Sequence, residues 1–539
     1  MSRRIAKILS MSLIGVCATV AAHAQGAGGR GTDGGESLLV TKGTVIRDVT
    51  VVDTRNGSLA HRQSIVIDGA KIQQITSRPV RVSGSAQAVD GHGKYVVPGF
   101  NDMHTHAMQA AALPTTYWPL MIANGITGIR EMAGSAAVIQ AVQQLNAATA
   151  AHSVDAPEVL LIASDIFGGS PINPVTGLPG TPAQFVDSEV AIGASFIKVF
   201  AGSAAQLMAI LSEAHNKGTT VAGHLFPAVS ALDSSNAGWH AIEHLGAGWG
   251  LLLDCAGNEV TLRNSYNAGA GFHSPIPPPT YYVASPRLYD ISLNAPFYQG
   301  ILDNYSEATC RALAKAFVHN DTWQIPTLIR LRTQDYSDDP VYTASPELVY
   351  VDKTRNALWT ELGQQFANGG AAGSNPVTLP AVTPPVTPAD VSTLRQFFAL
   401  QLKVTKLLKQ EGVKMMTGSD LGGIWVIPGF SLHQEFHLLA DAGLTPLEIL
   451  QMTTLDPAQF LDREAAMGTV EAGKNADLVL LDDNPVKNVK NLDRIAGVFV
   501  KGKYFSKEAL ETLKNGVAVA YGNQPIDDYE TTLDPNHKD

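Results

Sequence analysis

The sequence contains little cysteine, with three residues among 539, and no internal repeat. Charged residues make up 16% of the chain and hydrophobic residues 45%, which is an ordinary globular composition. The low cysteine content excludes a small disulfide-dense scaffold, and the composition excludes a disordered or collagen-like chain. The length allows one large domain of about 250 residues or more and a smaller one.

Positive charge is also scarce, because 38 Lys and Arg residues face 49 Asp and Glu residues, for a net charge of −11. A chain this acidic has no electrostatic attraction to nucleic acid or to an anionic membrane. Beyond residue 24, no stretch holds 18 uninterrupted apolar residues. We therefore expect no nucleic-acid partner, and no membrane partner once the N-terminal segment is removed.

The N-terminal segment has the features of an export signal. A basic start and a short apolar run are followed by Ala22-His23-Ala24, which has the A-x-A form of a cleavage site. We predict that residues 1–24 are removed, that the Gly-rich residues 25–42 form a flexible tether, and that the mature protein is periplasmic or secreted. Arg3-Arg4 leaves both the twin-arginine route and the general route open.

Two cysteines remain in the predicted mature chain, Cys255 and Cys310. An oxidising compartment would allow a disulfide between them. Sequence slightly favours two buried thiols instead, because nothing in it shows that the two Cα atoms approach each other.

Hydrophobic patterning divides the rest of the chain. Short alternating segments in residues 43–95 and 468–510 predict one β-sandwich domain formed by both ends of the chain, before a tail at 511–539. Across 96–467, short apolar strands alternate with helical stretches, which predicts an α/β fold, a (β/α)8 TIM barrel. The eight predicted strands lie near Tyr95–Phe100, Gly125–Glu131, Glu158–Ala163, Ser195–Phe200, Thr219–Gly223, His240–His244, Gln324–Ile329 and Val413–Thr417.

Two polar, Pro-rich insertions follow late strands. One runs from Cys255 to about Gly300, and the other from Asn368 to Ala389, where Thr387 is placed to cap the next helix. Barrel active sites lie at the ends of the strands, so both insertions should overhang the site, although inert surface loops remain the alternative.

Polar side chains interrupt or end five of these apolar strands. His104 and His106 share one strand face, which is an arrangement that can hold a cation. Lys198 lies in the middle of an apolar strand, where an ammonium is costly unless it forms an ion pair or reacts with CO2 to become an anionic carbamate. The remaining strands end in His224, His244 and Asp420. Together these positions predict a metal site. His240, Glu243 and His433 also lie nearby, and of these His240 and Glu243 are read as structural.

The chain resembles the amidohydrolase superfamily, in the branch of imidazolonepropionase-like and Xaa-Pro-dipeptidase-like enzymes with a carboxylated lysine. The segments that carry the resemblance are Val96–His106, the Phe-Ile-Lys strand at 196–198, Ile242-Glu243-His244, Thr417-Gly418-Ser419-Asp420 and Gly473–Val479. Arg130-Glu131, where the family commonly has Arg-Asp, and the long insertion after strand six depart from the family pattern.

The resemblance implies two divalent metal ions, usually zinc. His104, His106 and Asp420 would bind the more buried ion and His224 and His244 the other, with the carbamate on Lys198 and a hydroxide bridging them. Asp420 would act as general base and then acid. The expected activity is hydrolysis of an amide or peptide bond in a dipeptide or N-acyl amino acid. Alternatives are a lactone, carbamate or other ester hydrolase, a deaminase, or a metal-free binding protein.

Selection of the substrate is assigned to residues near the predicted mouth of the barrel. His273 and Tyr281, with Phe272 and Tyr282, lie in the first insertion and suit an apolar group. Arg330, just past strand seven, could pair with a substrate carboxylate. The expected partner is therefore a small-molecule amide, and we also expect a homo-oligomer; the loop could instead mediate subunit contacts.

Overall fold

The computed structural model describes residues 37–108, 114–169, 180–225, 228–269, 286–374, 379 and 381–525. The predicted signal peptide, most of the tether, and His273 and Tyr281 lie outside the described residues. The strands are β1 Leu38–Val40, β2 Thr44–Val52, β3 Leu59–Asp68, β4 Lys71–Thr76, β5 Val80–Val82, β6 Gln87–Asp90, β7 Tyr95–Pro98, β8 Phe100–Thr105, β9 Ile126–Glu131, β10 Glu158–Gly168, β11 Phe196–Ala201, β12 Val221–Gly223, β13 Ala241–Glu243, β14 Trp323–Ile325, β15 Leu478–Leu481, β16 Ile495–Val500 and β17 Lys503–Ser506.

The helices follow the barrel strands and the end of the β domain. They are α1 Pro114–Ala123, α2 Ala136–Ala150, α3 Pro182–Ala191, α4 Ala204–Lys217, α5 Ala231–Asn236, α6 His244–Ala247, α7 Gly250–Asp254, α8 Glu259–Gly269, α9 Pro286–Asp303, α10 Glu307–Asn320, α11 Leu328–Asp335, α12 Pro340–Thr343, α13 Lys353–Ala367, α14 Pro388–Gln410, α15 Phe430–Asp441, α16 Pro446–Thr453, α17 Leu455–Phe460 and α18 Lys507–Ala520, with 3-10 helices at Pro346–Tyr350 and Val489–Leu492. None of the helices in the described part of the chain is long and apolar enough to cross a membrane.

The barrel is a parallel sheet in the order β14-β13-β12-β11-β10-β9-β8. The segment around residues 414–421 closes it, since Met415 bridges to Gln324 on one side and Leu421 to Thr105 on the other. Its interior is filled by one buried cluster, formed mainly by Met103, Met132, Ala163, Phe196, Ala222, Ala241, Trp323, Ile325 and Met416. The predicted TIM barrel is therefore confirmed.

The second domain is a mixed sheet in the order β17-β16-β15-β7-β2-β3-β4, in which β6 also pairs with β2. The β1 and β5 pair packs its valines against Val45 and Val66 of this sheet. Strands from both sides of the barrel sequence build the domain, because β15 lies between β7 and β16. Strand β7 belongs to this sheet and not to the barrel, so the barrel begins with β8 and not near Tyr95.

Local structure departs from expectation at three places. The insertion after Cys255 contains α8 and α9 and is not simply turn-rich, and residues 511–520 belong to α18 and not to a tail. Thr387 does cap α14, where its hydroxyl accepts from the Asp390 N–H in a capping box. Cys255 and Cys310 form a disulfide, which links the end of α7 to α10; the preference for two thiols was wrong, because the fold brings together residues that sequence shows far apart.

Candidate metal centre

The side chains predicted as metal ligands converge at the end of the barrel where its strands finish. His104 lies in β8 and Lys198 in β11, while His224 and His244 directly follow β12 and β13. The ring centroids are 5.5 Å apart for His104 and His106, 4.3 Å for His104 and His244, and 5.0 Å for His224 and His244. Parallel strands end at a common rim, so residues far apart in sequence form one cluster.

Asp420 completes the cluster from the segment that closes the barrel. Its N–H donates to the His104 carbonyl at 2.9 Å. Its Oδ1 lies 3.3 Å from His104 Nε2 and 3.5 Å from His106 Nε2, and its Oδ2 lies 3.8 Å from His244 Nε2. This approach requires glycine at position 418, because a Cβ there would lie 2.8 Å from the His104 Cβ. The ligand atoms of His104, His244 and Asp420 all lie within 4.8 Å of one another.

Burial keeps the cluster in the protonation states that bind metals. Desolvation lowers the pKa of His106 to about 3 and holds the pKa of His224 and His244 well below the usual range, with the neighbouring Lys198 charge adding to the effect. The imidazoles are therefore neutral and keep a lone pair. Desolvation also lowers the pKa of Lys198 to about 8, although Glu243 and Asp420 oppose that shift.

The donor set fits a divalent metal. His104 Nε2, His106 Nδ1 and Lys198 Nζ are buried polar atoms without a hydrogen-bond partner. Buried polar groups are normally paired, so the unpaired His104 Nε2 and Lys198 Nζ fit a site built for another ligand, to which His106 presents Nε2 and not Nδ1. Imidazole nitrogens with a carboxylate are the set that zinc accepts.

Glu243 orients His104. Its Oε2 lies 2.7 Å from His104 Nδ1, its Oε1 accepts from Arg130 Nη2 at 2.6 Å, and both carboxylate and imidazole are fully buried. Burial alone would raise the pKa of Glu243, but the Arg130 charge and the contact with His104 hold it well below the usual range. The carboxylate therefore accepts the Nδ1 proton of His104 and leaves Nε2 for a metal. Sequence analysis read Glu243 as structural, although its alternation with Ala241 places it on the inner strand face.

Thr327 performs the same task for His244. Its hydroxyl donates to the Pro326 carbonyl at 2.9 Å and accepts from His244 Nδ1 at 2.5 Å, which leaves Nε2 of His244 for a ligand. Thr327 has a φ of 43°, a conformation that is costly for a β-branched residue. Sequence gave no signal for Thr327, because the strained turn before α11 is visible only in the structure.

We expect Glu243→Gln to weaken metal binding by about 10- to 100-fold. The amide oxygen still accepts the His104 N–H, but the substitution removes the negative charge that polarises the imidazole ring and pairs with Arg130. Competition with a chromophoric chelator measures the affinity. Glu189→Gln is the control, since it changes another buried glutamate, which accepts the Asp165 N–H and contacts no predicted ligand. Wild-type affinity in the Glu243 variant would contradict the assigned role.

Arg330 is the one described residue of the predicted substrate group. It lies in the first turn of α11, is 7% exposed, and its Nε is 3.2 Å from Asp420 Oδ2. Its guanidinium packs over Gly423, where a Cβ would lie 2.7 Å from Nη1. The structure therefore places Arg330 beside the predicted general base. The other members of the group, His273 and Tyr281, lie outside the described residues.

Known proteins share parts of this sequence. Residues 401–504 match the model of the amidohydrolase family. An imidazolonepropionase of Treponema denticola is 29% identical over 121 residues, which are 20% of this chain and 27% of that protein. A 5'-deoxyadenosine deaminase of Methanobrevibacter smithii is 44% identical over 54 residues, 10% of this chain and 12% of that protein. These matches span about a quarter and an eighth of the relatives' lengths.

Solved structures share the fold over most of the chain. A bottromycin amidohydrolase has a TM-score of 0.63 and 19% identity, covering 89% of this chain and 91% of its own. A Xaa-Pro dipeptidase with bound methionine has a TM-score of 0.53 and 18% identity, and the match covers 86% of this chain and 99% of the dipeptidase chain. The ochratoxinase of A. niger has a TM-score of 0.52 and 15% identity, and the match covers 86% of this chain and 95% of the ochratoxinase chain. Residues 401–504 thus match the amidohydrolase family, and the chain has the fold of these solved structures.

Proposed function

We propose that this protein is a metal-dependent hydrolase of amide or peptide bonds, acting on a dipeptide or an N-acyl amino acid. The observation that supports this most is the convergence of four imidazoles, Lys198 and Asp420 at one rim, where the buried Lys198 Nζ has no hydrogen-bond partner among the described residues. The family match over residues 401–504 favours hydrolysis of an amide over other chemistry.

Two divalent ions, which we propose to be zinc, would be held by residues of this cluster. His104, His106 and Asp420 would bind the more buried ion, and His224 and His244 the other. The Lys198 amine would add CO2 and release a proton, and the resulting carbamate would be a further anionic ligand. When bound, the ions would supply Lewis acidity and lower the pKa of a bound water toward neutrality.

The residues of the chain would move the proton and hold the substrate. The Asp420 carboxylate would accept the proton of the attacking water and donate it to the leaving nitrogen, as general base and then acid. Glu243 and Thr327 would hold His104 and His244 in the ligand tautomer. The low-polarity walls around these groups, including the Phe200 ring 4.7 Å from the His224 ring, would limit access of bulk water.

Ester substrates are the second possibility, because a lactone, carbamate or other ester would use the same groups. Deamination is less favoured: the match to a deaminase covers only 54 residues, and that chemistry usually needs one metal and no lysine on strand four. A metal-free binding protein is disfavoured because the described chain retains every predicted ligand.

The test is mass-spectrometric detection of products from a library of dipeptides and N-acyl amino acids, with metal-loaded and metal-stripped protein. We expect hydrolysis only with metal, and two metal ions per chain by elemental analysis. His224→Asn should lose metal and activity. The control His240→Asn changes a histidine that stacks on Phe460, and it should retain both. Hydrolysis by the stripped protein would contradict the proposal.

Arg330 is proposed to bind a substrate carboxylate, which would place the scissile bond next to Asp420. We expect Arg330→Met to lower kcat/KM by about 10- to 100-fold for substrates with a free carboxylate, since a hydrogen bond to a charged group contributes about 1.5–3 kcal/mol. Amide-capped versions of the same substrates should lose much less. Gly423→Ala, which displaces the guanidinium without changing its charge, should act in the same direction. Equal losses on both substrate sets would contradict carboxylate recognition.

Location and assembly are also proposals. A disulfide is typical of exported proteins, so the link between Cys255 and Cys310 supports a periplasmic or secreted protein. We keep the homo-oligomer and the small-molecule amide partner as proposals, and mass photometry would test the former.

A further inference from the structure

Two histidines outside the metal centre meet one carboxylate of the β domain. His433 and His437 lie one helical turn apart on α15. His433 Nδ1 is 2.9 Å from Asp493 Oδ1, and His437 Nε2 is 2.7 Å from Asp493 Oδ2. Asp493 precedes β16 of the β domain, whereas α15 packs on the barrel. These three side chains, which we call the ionic joint, therefore connect the two domains.

The hydrogen bonds of His433 require a second ring proton. Its Nε2 is 2.9 Å from the carbonyl oxygen of Asn124, and its Nδ1 faces the Asp493 carboxylate. Both partners are acceptors, and a neutral imidazole carries a single N–H. Both contacts are made only by an imidazolium. The His433 side chain is 9% exposed, so this charge depends on the paired carboxylate, which is 16% exposed.

The groups around the ionic joint agree with this charge state. Burial raises the pKa of Asp493, but its hydrogen bonds to His433 and His437 outweigh burial and lower it overall. Burial lowers the pKa of His437, but the Asp493 carboxylate outweighs this and raises it overall, with Lys490 opposing and Asp441 assisting.

Among the described residues, the other contacts of the His433 ring are with uncharged groups. The rings of Phe100 and Phe436 lie 5.8 Å and 5.2 Å from its ring, and the turn after α1 contributes only the Asn124 carbonyl.

The helix that carries the two histidines also supports the metal centre. Glu435, between them in sequence, accepts the N–H of Ile329 at 2.7 Å and so caps the start of α11. That helix begins immediately after Thr327, the partner of His244, and contains Arg330. Helix α15 therefore contacts, through Glu435, the helix that carries Arg330.

We propose that His433, Asp493 and His437 form a pH-sensitive ionic joint that holds the β domain on the barrel and weakens as the pH rises above neutral. The raised pKa of His437 means that its contribution is complete below the ordinary histidine value, about 6.5, and is lost as the pH rises through the higher folded value. The lowered pKa of Asp493 means that its contribution is lost only in acid, below about 3.9. The joint is therefore strongest between these limits.

The test compares thermal unfolding of the metal-saturated, full-length protein and of Asp493→Asn from pH 5.5 to pH 9. We expect the variant to unfold roughly 5 °C below the wild type near pH 6, because breaking a buried ion pair is strongly destabilising. At pH 9 this difference in unfolding temperature should be at most half as large. Histidines of the metal centre titrate in both proteins, so their contribution cancels in the difference.

The control is His92→Gln, which breaks another histidine–aspartate pair of the β domain. His92 Nδ1 is 2.7 Å from Asp48 Oδ2, but the two side chains are 80% and 45% exposed, so we expect a shift below about 1 °C at every pH. If Asp493→Asn fails to fold, His437→Gln at a partly exposed position gives the same comparison. If the difference in unfolding temperature between the wild type and the variant stays constant or widens as the pH rises, the proposal is overturned. The joint would then be held by hydrogen bonds that do not depend on a charged histidine.

Discussion

Asp420→Asn should keep the fold and lose about 10²- to 10⁴-fold in kcat, the contribution of a positioned general base and acid. An asparagine has nearly the same shape and keeps an amide oxygen as a neutral ligand atom, but its amide cannot carry a proton from the attacking water to the leaving nitrogen. Steady-state kinetics on the substrate identified by the library screen measure the effect, and metal analysis shows how much of the loss reflects a weakened ligand.

The control for this variant is Asp477→Asn. The Asp477 side chain is 16% exposed, close to the 15% of Asp420, but it lies beside the start of β8, where its carbonyl accepts the Gly99 N–H and its carboxylate accepts the Lys501 N–H. We expect Asp477→Asn to lower stability and leave kcat close to that of the wild type. Near-wild-type turnover in Asp420→Asn would remove Asp420 from the mechanism.

Lys198→Ala should lose metal and lower kcat/KM by more than about 100-fold, because removing a partner that only orients a ligand already costs 10- to 100-fold. Lys198 is 1% exposed, and its Nζ has no hydrogen-bond partner among the described residues. A carbamate at this position would act as a bridging carboxylate, so the variant should hold fewer metal ions. Elemental analysis and activity assays measure the two effects.

Chemical rescue separates a carbamate from a plain lysine. Formate, acetate or propionate can occupy the space left in Lys198→Ala and supply the missing carboxylate, so we expect part of the activity to return. Lys217→Ala removes a lysine from the helix after the same strand, which pairs with Asp187 on the surface, and it should behave as wild type. A fully active Lys198→Ala protein would contradict the two-metal proposal.

Sequence predicted the parts of this protein that depend on strand periodicity. Polar residues that end apolar strands, such as His224 and His244, could be assigned to one rim because parallel barrel strands finish on the same side. Lys198 was recognised by the cost of an ammonium inside an apolar strand. The boundary between the β domain and the first barrel strand was placed too early, near Tyr95. Strands β7 and β8 are consecutive apolar strands that differ only in the sheet with which they pair.

Sequence could not predict the contacts that arise between distant segments. The partnership of Glu243 with Arg130 depends on two strands that are not neighbours in the chain. Thr327 was missed because its role comes from a strained backbone, and the ionic joint because His433 and Asp493 are 60 residues apart. The disulfide was undecidable for the same reason, since it links segments separated by 55 residues.

The shared β domain has a consequence for the newly made chain. Strand β7 pairs with β15 through Val96 and Leu480, and synthesis adds about 5–20 residues per second, so roughly 20 to 80 s separate the emergence of these two strands from the ribosome. During that interval the edge of β7 has no partner from β15, and unpaired strand edges are sites of aggregation. The edge of β7 in the nascent chain therefore needs a chaperone, or cover from segments already made, until β15 emerges.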